Sequence, residues 1–204
     1  MGDIRKDYLT EREVIFNAVT KNNTGSKKCP FCPGNESMTN PSLLSLVAKD
    51  GMLQRLQDDD DSFVEGWSVR VFESTDPIVS TSANNTFSDR PLYSEPSYGY
   101  HYVVVASPQH KDTLATIDVE QWSNVLVVIQ DRLRWLYTQK GVTYVSIFVN
   151  QGEEAGSIVN HSHINMVSFS TLPPVIEEEA ESSHKILNEK GVCPICQVVS
   201  TENA

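Results

Sequence analysis

The sequence predicts an α+β domain built on an antiparallel sheet, and three observations carry that class. Four runs read as strands, each β-branched or alternating: WSVRVF (67–72), HYVVVASP (101–108), TYVSIFVN (143–150) and HINMVSF (163–169). One stretch, 119–139, has helical periodicity instead. The order is strand, strand, helix, strand, strand, without the regular alternation of a doubly wound sheet. At 204 residues and 39% hydrophobic content, the chain has enough apolar material for one core of ordinary size.

Taken in order, residues 1–28 are polar with scattered apolar positions, and KNNTGSKK (21–28) reads as a loop. LLSLVAKDGMLQRLQDDDDS (43–62) begins as a strand or short helix and ends in an acidic run. Asp58 to Asp61 are expected to form a solvated loop rather than a metal site. Residues 73–99 are rich in Ser, Asn and Pro and read as one long loop, of the kind that is functional or mobile. The helix should start at Asp118, a good N-cap, with Gln121 at N3 and an Ile117–Trp122 staple. Trp122, Leu126, Ile129, Leu133 and Leu136 share one expected face, and Gly141 supplies the stop. The segment 176–191 is expected to be an exposed helix.

Composition excludes several classes. With 16 Lys+Arg against 27 Asp+Glu the net charge is −11, which argues against nucleic-acid or membrane-surface binding. It leaves room for a small anionic substrate held locally by backbone N–H groups and a cation. No apolar run is long enough for a transmembrane helix, and the polar start MGDIRKDYLT carries no visible secretory signal. Lys6 stands where a myristoylation signal wants Ser or Thr. A soluble cytoplasmic protein is the expectation.

The four cysteines form two Cys-x-x-Cys pairs, CPFC (Cys29, Cys32) and CPIC (Cys193, Cys196). Such pairs are metal knuckles or redox couples. Pro33 and Gly34 directly behind Cys32 read as a tight knuckle and not a helix start, which favours a metal at the first pair. The second pair is either half of another metal site or two exposed thiols. Two of the five histidines, His161 and His163, stand one residue apart, and on a strand residues i and i+2 share a face. Two neighbouring imidazoles suit a metal site, a catalytic pair, or one of each. A structural zinc needs four ligands. Cys29, Cys32, His110 and His161 can supply them, pinning the N-terminal loop to the sheet and leaving His163 beside the metal. A neutral imidazole held in one tautomer is a competent nucleophile toward phosphorus. The loop Gly152 to Ser157 can aim N–H groups and a hydroxyl at a phosphate.

Together, CPFCPGNE (29–36), YGYHYVVVASPQHKDTL (98–114) and FVNQGEEAGSIVNHSHINMVS (148–168) resemble the galactose-1-phosphate uridylyltransferase branch of the histidine-triad superfamily. The resemblance runs from about residue 25 to residue 180. It implies an antiparallel sheet of the histidine-triad type and a nucleotidyltransferase of the UDP-glucose:hexose-1-phosphate uridylyltransferase kind. A histidine attacks the α-phosphorus of a nucleotide sugar, and a sugar 1-phosphate then takes the nucleotide. Carried over, His163 is the nucleophile, and Cys29, Cys32, His110 and His161 hold a structural zinc. Asn150, Gly156 and Ser157 form the positioning loop, Asn165 contacts the phosphate, and Glu179 is a candidate ligand of a second metal. A homodimer is also implied. The acidic start of a helix is the alternative reading of Glu179.

Two departures stand out. Ser162 replaces the proline of the family's His-Pro-His, and Asn165 stands where a Gln is expected, one methylene shorter. Adenylyl-donor relatives, acting on ADP-sugars or as dinucleoside polyphosphate phosphorylases, are therefore the alternative, with a zinc-stapled nucleotide-binding domain as the non-enzymatic one. His101 stands where the family often reads His-Glu-Val. With Tyr102 in place of the Glu it is expected to be a packed strand residue. Residues 1–180 read as the family's N-terminal domain, and 181–204, with the second CPxC, as a linker and the start of a truncated second half.

Overall fold

The computed structural model describes residues 2–7, 9–10, 12–16, 28–82 and 94–203. The loops expected at 21–28 and 73–99 lie partly outside them, since 21–27 and 83–93 are not described.

The expected class holds. Six strands form one sheet: β3 (Ser42–Lys49), β4 (Met52–Leu56), β5 (Trp67–Glu73), β7 (His101–Val105), β8 (Tyr144–Phe148) and β9 (His163–Phe169). Their order is β4-β3-β5-β7-β9-β8, and every neighbouring pair is antiparallel. A second small sheet joins β1 (Asp3–Lys6), β2 (Glu13–Phe16) and β6 (Ser94–Pro96). At three or four residues each, those strands are too short to carry a period, and their segments read as polar chain or loop. The ambiguous stretch after Leu43 is the β3–β4 hairpin. Asp50 and Gly51 both have positive φ (52° and 75°), the two-residue turn that matches the strands' twist.

The long helix α1 spans Val119–Leu136. Asp118 caps it, accepting the Gln121 N–H at 2.8 Å. The Gln121 side chain does not reach back to close a box. It donates to the carbonyls of Ser68 (2.8 Å) and Ala106 (2.6 Å), tying the helix start to the sheet. The helix stops before Gly141, because the Thr138 hydroxyl donates to the Trp135 carbonyl at 2.7 Å and closes the last turn. Its buried residues are Val125, Val128, Ile129 and Leu136, whereas Leu126 is 57% exposed. Of the five residues expected on the apolar face, Ile129 and Leu136 are buried and Trp122 and Leu133 pack against the core, whereas Leu126 points outward and Val125 and Val128 fill the face instead. These residues pack on Leu44, Leu46, Val69, Val71, Tyr102, Val104, Ile164 and Met166 from one face of the sheet.

The opposite face is covered by the CPFC knuckle. Phe31 packs with Trp67, Phe72, Val103 and Val105, so the segment carrying Cys29 and Cys32 becomes a third layer. Two helices follow β9: α2 (Pro174–Lys190), within which residue 180 falls, and α3 (Pro194–Glu202). No helix among the described residues is long and apolar enough to cross a membrane.

The acidic run is the clearest correction. Asp58 is buried, not solvated, and its carboxylate meets the buried Arg70 guanidinium at 2.8 Å. Arg70 also donates to Thr39 Oγ1 (2.7 Å) and the Asn40 carbonyl (3.3 Å), which anchors the chain behind the knuckle. Asp59 to Asp61 are exposed as expected.

Candidate functional site

Four side chains from three distant segments meet at one point. The knuckle brings Cys29 and Cys32, the loop after β7 brings His110, and the residues before β9 bring His161. One ligand atom from each lies within 4.8 Å of all the others. His161 Nδ1 is 3.6 Å from both sulfurs, and His110 Nδ1 is 3.4 Å from Cys32 Sγ. Around a tetrahedral zinc with bonds of about 2.3 Å to sulfur and 2.05 Å to nitrogen, an S and an N ligand sit roughly 3.6 Å apart. The cluster therefore matches the donor set and the size of such a site, and it can hold a metal ion. The other ring nitrogen of His161, Nε2, meets the Ser107 carbonyl at 2.8 Å. That bond puts the proton on Nε2 and leaves Nδ1 as the ligand. Burial, helped by the Cys29 thiol, pushes the Cys32 thiol up to about 11, so a cation's charge is needed to draw off its proton.

His163 opens β9 on the same side, and both imidazoles stand edge-on to Phe31, with ring centroids 5.2 Å (His163) and 6.2 Å (His161) away. The His163 Nδ1–H donates to the His161 carbonyl at 2.7 Å. Its Nε2 is thereby the lone-pair nitrogen. Burial holds the His163 imidazole below the usual histidine range, only partly offset by the His161 carbonyl, so the ring is neutral at neutral pH.

A cleft of about 300 Å³ opens over these residues, lined by His110 to Thr113, Val149 to Gly152, Ser157 and Val159 to His163. Asn150 and Ser157 thus face the cleft. Gly152 (φ 83°, ψ 162°) occupies a region essentially reserved for glycine, and Gly156 is left-handed. Between them the chain makes a single tight turn, with the Ser157 N–H on the Gly152 carbonyl at 3.1 Å. A side chain at Gly156 would come within 4.0 Å of the Asn150 amide. The Ser157 hydroxyl is already donated to the Val159 carbonyl at 2.9 Å.

Ser162 explains one departure from the expected motif. Its hydroxyl donates to the Asp112 carbonyl at 2.5 Å, and the Asp112 carboxylate accepts from the Ser107 hydroxyl at 2.5 Å. A hydrogen bond holds the chain before β9 where a proline would hold it by ring constraint. Asn165 lies two residues beyond His163, and its Oδ1 is 3.2 Å from His101 Nε2. His101 is thus more than a packed strand residue.

The remaining expected residues stay apart. Glu179 is exposed on α2, and Cys193 and Cys196 stand at the start of α3. None of them joins a cluster of three or more metal-ligating side chains among the described residues. Hydrogen bonds from Cys196 hold the Cys193 thiol below its usual range. Phe31 and Ser107 were missed. Phe31 had a signal, since an aromatic between two ligands of a knuckle is placed by them. Ser107 acts through its backbone carbonyl, for which no side-chain type is diagnostic.

Comparison with known proteins follows this geometry. Residues 62–173 match the family model described as galactose-1-phosphate uridyl transferase, N-terminal domain. The match ends at Pro173, the residue that caps α2. Over 97% of its length the chain is 29% identical to an ADP-glucose phosphorylase of Arabidopsis thaliana, covering 57% of that protein. Over 99% it is 28% identical to a galactose-1-phosphate uridylyltransferase of Thermotoga maritima, again covering 57%. Among solved structures, an Arabidopsis thaliana ADP-glucose phosphorylase with bound ADP-glucose aligns with a TM-score of 0.66 at 29% identity, over 98% of this chain and 59% of that one. The chain spans a little more than half the length of these relatives.

Proposed function

The chain belongs to the galactose-1-phosphate uridyl transferase family through that family's N-terminal domain, and from this premise we propose that it transfers a nucleotidyl group by way of His163. The observation that carries the proposal is the His163 Nδ1–H bond to the His161 carbonyl, which leaves a neutral Nε2 lone pair beside a phosphate-sized cleft. His163 Nε2 attacks the α-phosphorus of a nucleotide sugar. The P–N bond forms as the P–O bond to the sugar phosphate breaks, and the sugar 1-phosphate leaves. An acceptor phosphate then attacks the same phosphorus and frees the imidazole. Asn150 and the N–H groups that open the turn, from Gly152 to Glu154, take the charge on the phosphoryl oxygens, since those of Ala155, Gly156 and Ser157 are donated within the turn. Zinc bound by Cys29, Cys32, His110 and His161 supplies structure, holding knuckle, loop and β9 together. All these residues lie within 1–180, the proposed catalytic unit.

The leading reading is a hexose-1-phosphate uridylyltransferase. The second is an ADP-sugar phosphorylase, favoured by the 29% identity to ADP-glucose phosphorylase and by the shorter amide at Asn165. Intact-mass spectrometry after mixing the zinc-loaded protein with UDP-glucose, and separately with ADP-glucose, separates them. The quench must be neutral, because a phosphoramidate is acid-labile. One added UMP or AMP, absent in His163→Ala, is expected and names the base. An adduct that survives in His163→Ala would remove His163 from the role.

A further inference from the structure

We propose that His101 is a positioning residue for Asn165, fixing which end of the Asn165 amide is offered to a phosphate at His163. The inference rests on the nucleotidyl-transfer reading above. His101 stands on β7 and Asn165 on β9. The register pairs Val103 with Asn165, so His101 is its diagonal neighbour on the same sheet face. The Ile78 N–H points at His101 Nδ1, 3.3 Å away. A donor there requires a lone pair on Nδ1, so the ring proton sits on Nε2. Nε2–H is then 3.2 Å from Asn165 Oδ1 and donates to it. Burial keeps the His101 imidazole below the usual histidine range, more than Asn165 can offset, so the Nδ1 lone pair persists at neutral pH.

The consequence is polarity. An asparagine amide presents two donors on one branch and two acceptor lone pairs on the other. With nothing to choose between them, a half-turn would point lone pairs at phosphoryl oxygens. His101 occupies the oxygen and leaves the two N–H donors of Nδ2, for which no partner is found among the described residues. Asn165 follows His163 by two residues on the same face, roughly 6.6 Å along the strand, a span that a diphosphate covers. A merely packed strand residue would need neither the Ile78 donor nor the Asn165 acceptor; a phenylalanine would serve as well.

Three measurements test this on the zinc-loaded full chain. Long-range proton–nitrogen spectra of histidine-labelled protein should show His101 with its proton on Nε2. Inorganic pyrophosphate should move the Asn165 side-chain amide resonance in the unsubstituted chain and not in His101→Phe. Adduct formation, read by neutral-quench mass spectrometry, should slow about tenfold in His101→Phe, the worth of one oriented hydrogen bond. His101→Gln, which presents an amide N–H at the depth of Nε2, should recover most of it. In an Asn165→Ala background His101→Phe should add less than about twofold. His101 protonated on Nδ1, an unmoved Asn165 resonance in the unsubstituted chain, or full-rate adduct formation in a folded, zinc-retaining His101→Phe overturns the inference. An unsubstituted chain that forms no adduct with either donor strikes the nucleotidyl-transfer reading instead. The two failures are thus read in different experiments.

Discussion

Asp58→Ala should be among the most damaging single changes in the chain. The Asp58 and Arg70 side chains are 0% and 2% exposed. The carboxylate accepts from Arg70 Nη2 (2.8 Å), the Ser42 N–H (2.7 Å) and the Val64 N–H (2.8 Å). Truncation leaves a buried guanidinium whose remaining hydrogen-bond partners are neutral, Thr39 Oγ1 and the Asn40 carbonyl. Breaking one side of a buried pair costs about 3–5 kcal/mol. The orphaned Ser42 and Val64 N–H groups add to this, but residues 59–63 are exposed and water can reach part of the void. About 4 kcal/mol is expected, a large share of the roughly 5–15 kcal/mol that holds a typical domain. Urea titration of wild type and variant measures it, with the slope unchanged. A loss under about 1 kcal/mol, the worth of an exposed pair, would refute the buried-pair reasoning.

The same pair sets an acid limit. Burial would raise the Asp58 carboxyl, but the Val64 and Ser42 N–H groups and the Arg70 guanidinium together hold it below the usual carboxylate range. A carboxylate depressed in the folded state contributes stability above its unfolded value, about 3.9, and loses it as pH falls through the folded value. The gap between wild type and Asp58→Ala should be constant from about pH 5 to 7 and narrow below about pH 4.

Three other outcomes are expected. Protein dialysed against zinc should hold one equivalent at the Cys29, Cys32, His110 and His161 cluster, and Cys32→Ser should hold almost none; elemental analysis reads both. Val128→Ala should cost about 2 kcal/mol while Leu126→Lys stays within about 0.5 kcal/mol, because Val128 is fully buried and Leu126 is 57% exposed; thermal melts check the pair. Gly152→Ala should slow adduct formation while the chain keeps its metal, since φ 83° with ψ 162° strains any side-chain residue by about 1–3 kcal/mol at a turn that faces the cleft.

What the sequence revealed, and what it hid, divides by range. β9 was legible to the residue at 163–169, and the cap at Asp118 was legible too, because both signals are local. The four-ligand cluster was legible because Cys29-x-x-Cys32 and His161-x-His163 announce their spacing, and only His110 had to be joined across the chain. On α1 four of the five expected face residues meet the core and Leu126 does not, since Leu126 fits a 3–4 step as well as Val125 does and only the sheet beneath decides. Asp58 was hidden inside an acidic run: its partner Arg70 lies on a different strand, and composition sees four aspartates where packing selects one. The His101–Asn165 contact was hidden for the same reason, being set by the β7–β9 register.

That register is also what makes the spacing of the two histidines meaningful. β9 is flanked by β7 and β8, and its alternate residues Ile164 and Met166 are buried under α1 at 3% and 0% exposure. A slip of one residue would put His163 or Asn165 into that apolar core and turn Ile164 toward the cleft, so core burial pins the polar set to its face. Along that face each step of two is roughly 6.6 Å. The spacing keeps His163 off the metal cluster while letting the carbonyl of the ligand His161 reach its Nδ1 at 2.7 Å. The next step carries the amide of Asn165 to the reach of His101 at 3.2 Å. Proposed nucleophile and proposed phosphate-binding amide are thus spaced by the strand itself, with the ligand His161 in the turn just before it. A helix would place residues three or four apart on one face and those two apart on different ones. The prediction that follows is sharp: inserting one residue between His161 and His163 should leave β9 paired, since Ile164 and Met166 hold it, yet detach the His161 carbonyl from Nδ1. Metal retention with loss of the adduct is the expected result, and an adduct formed at the original rate would show that the tautomer of His163 is set by something other than His161.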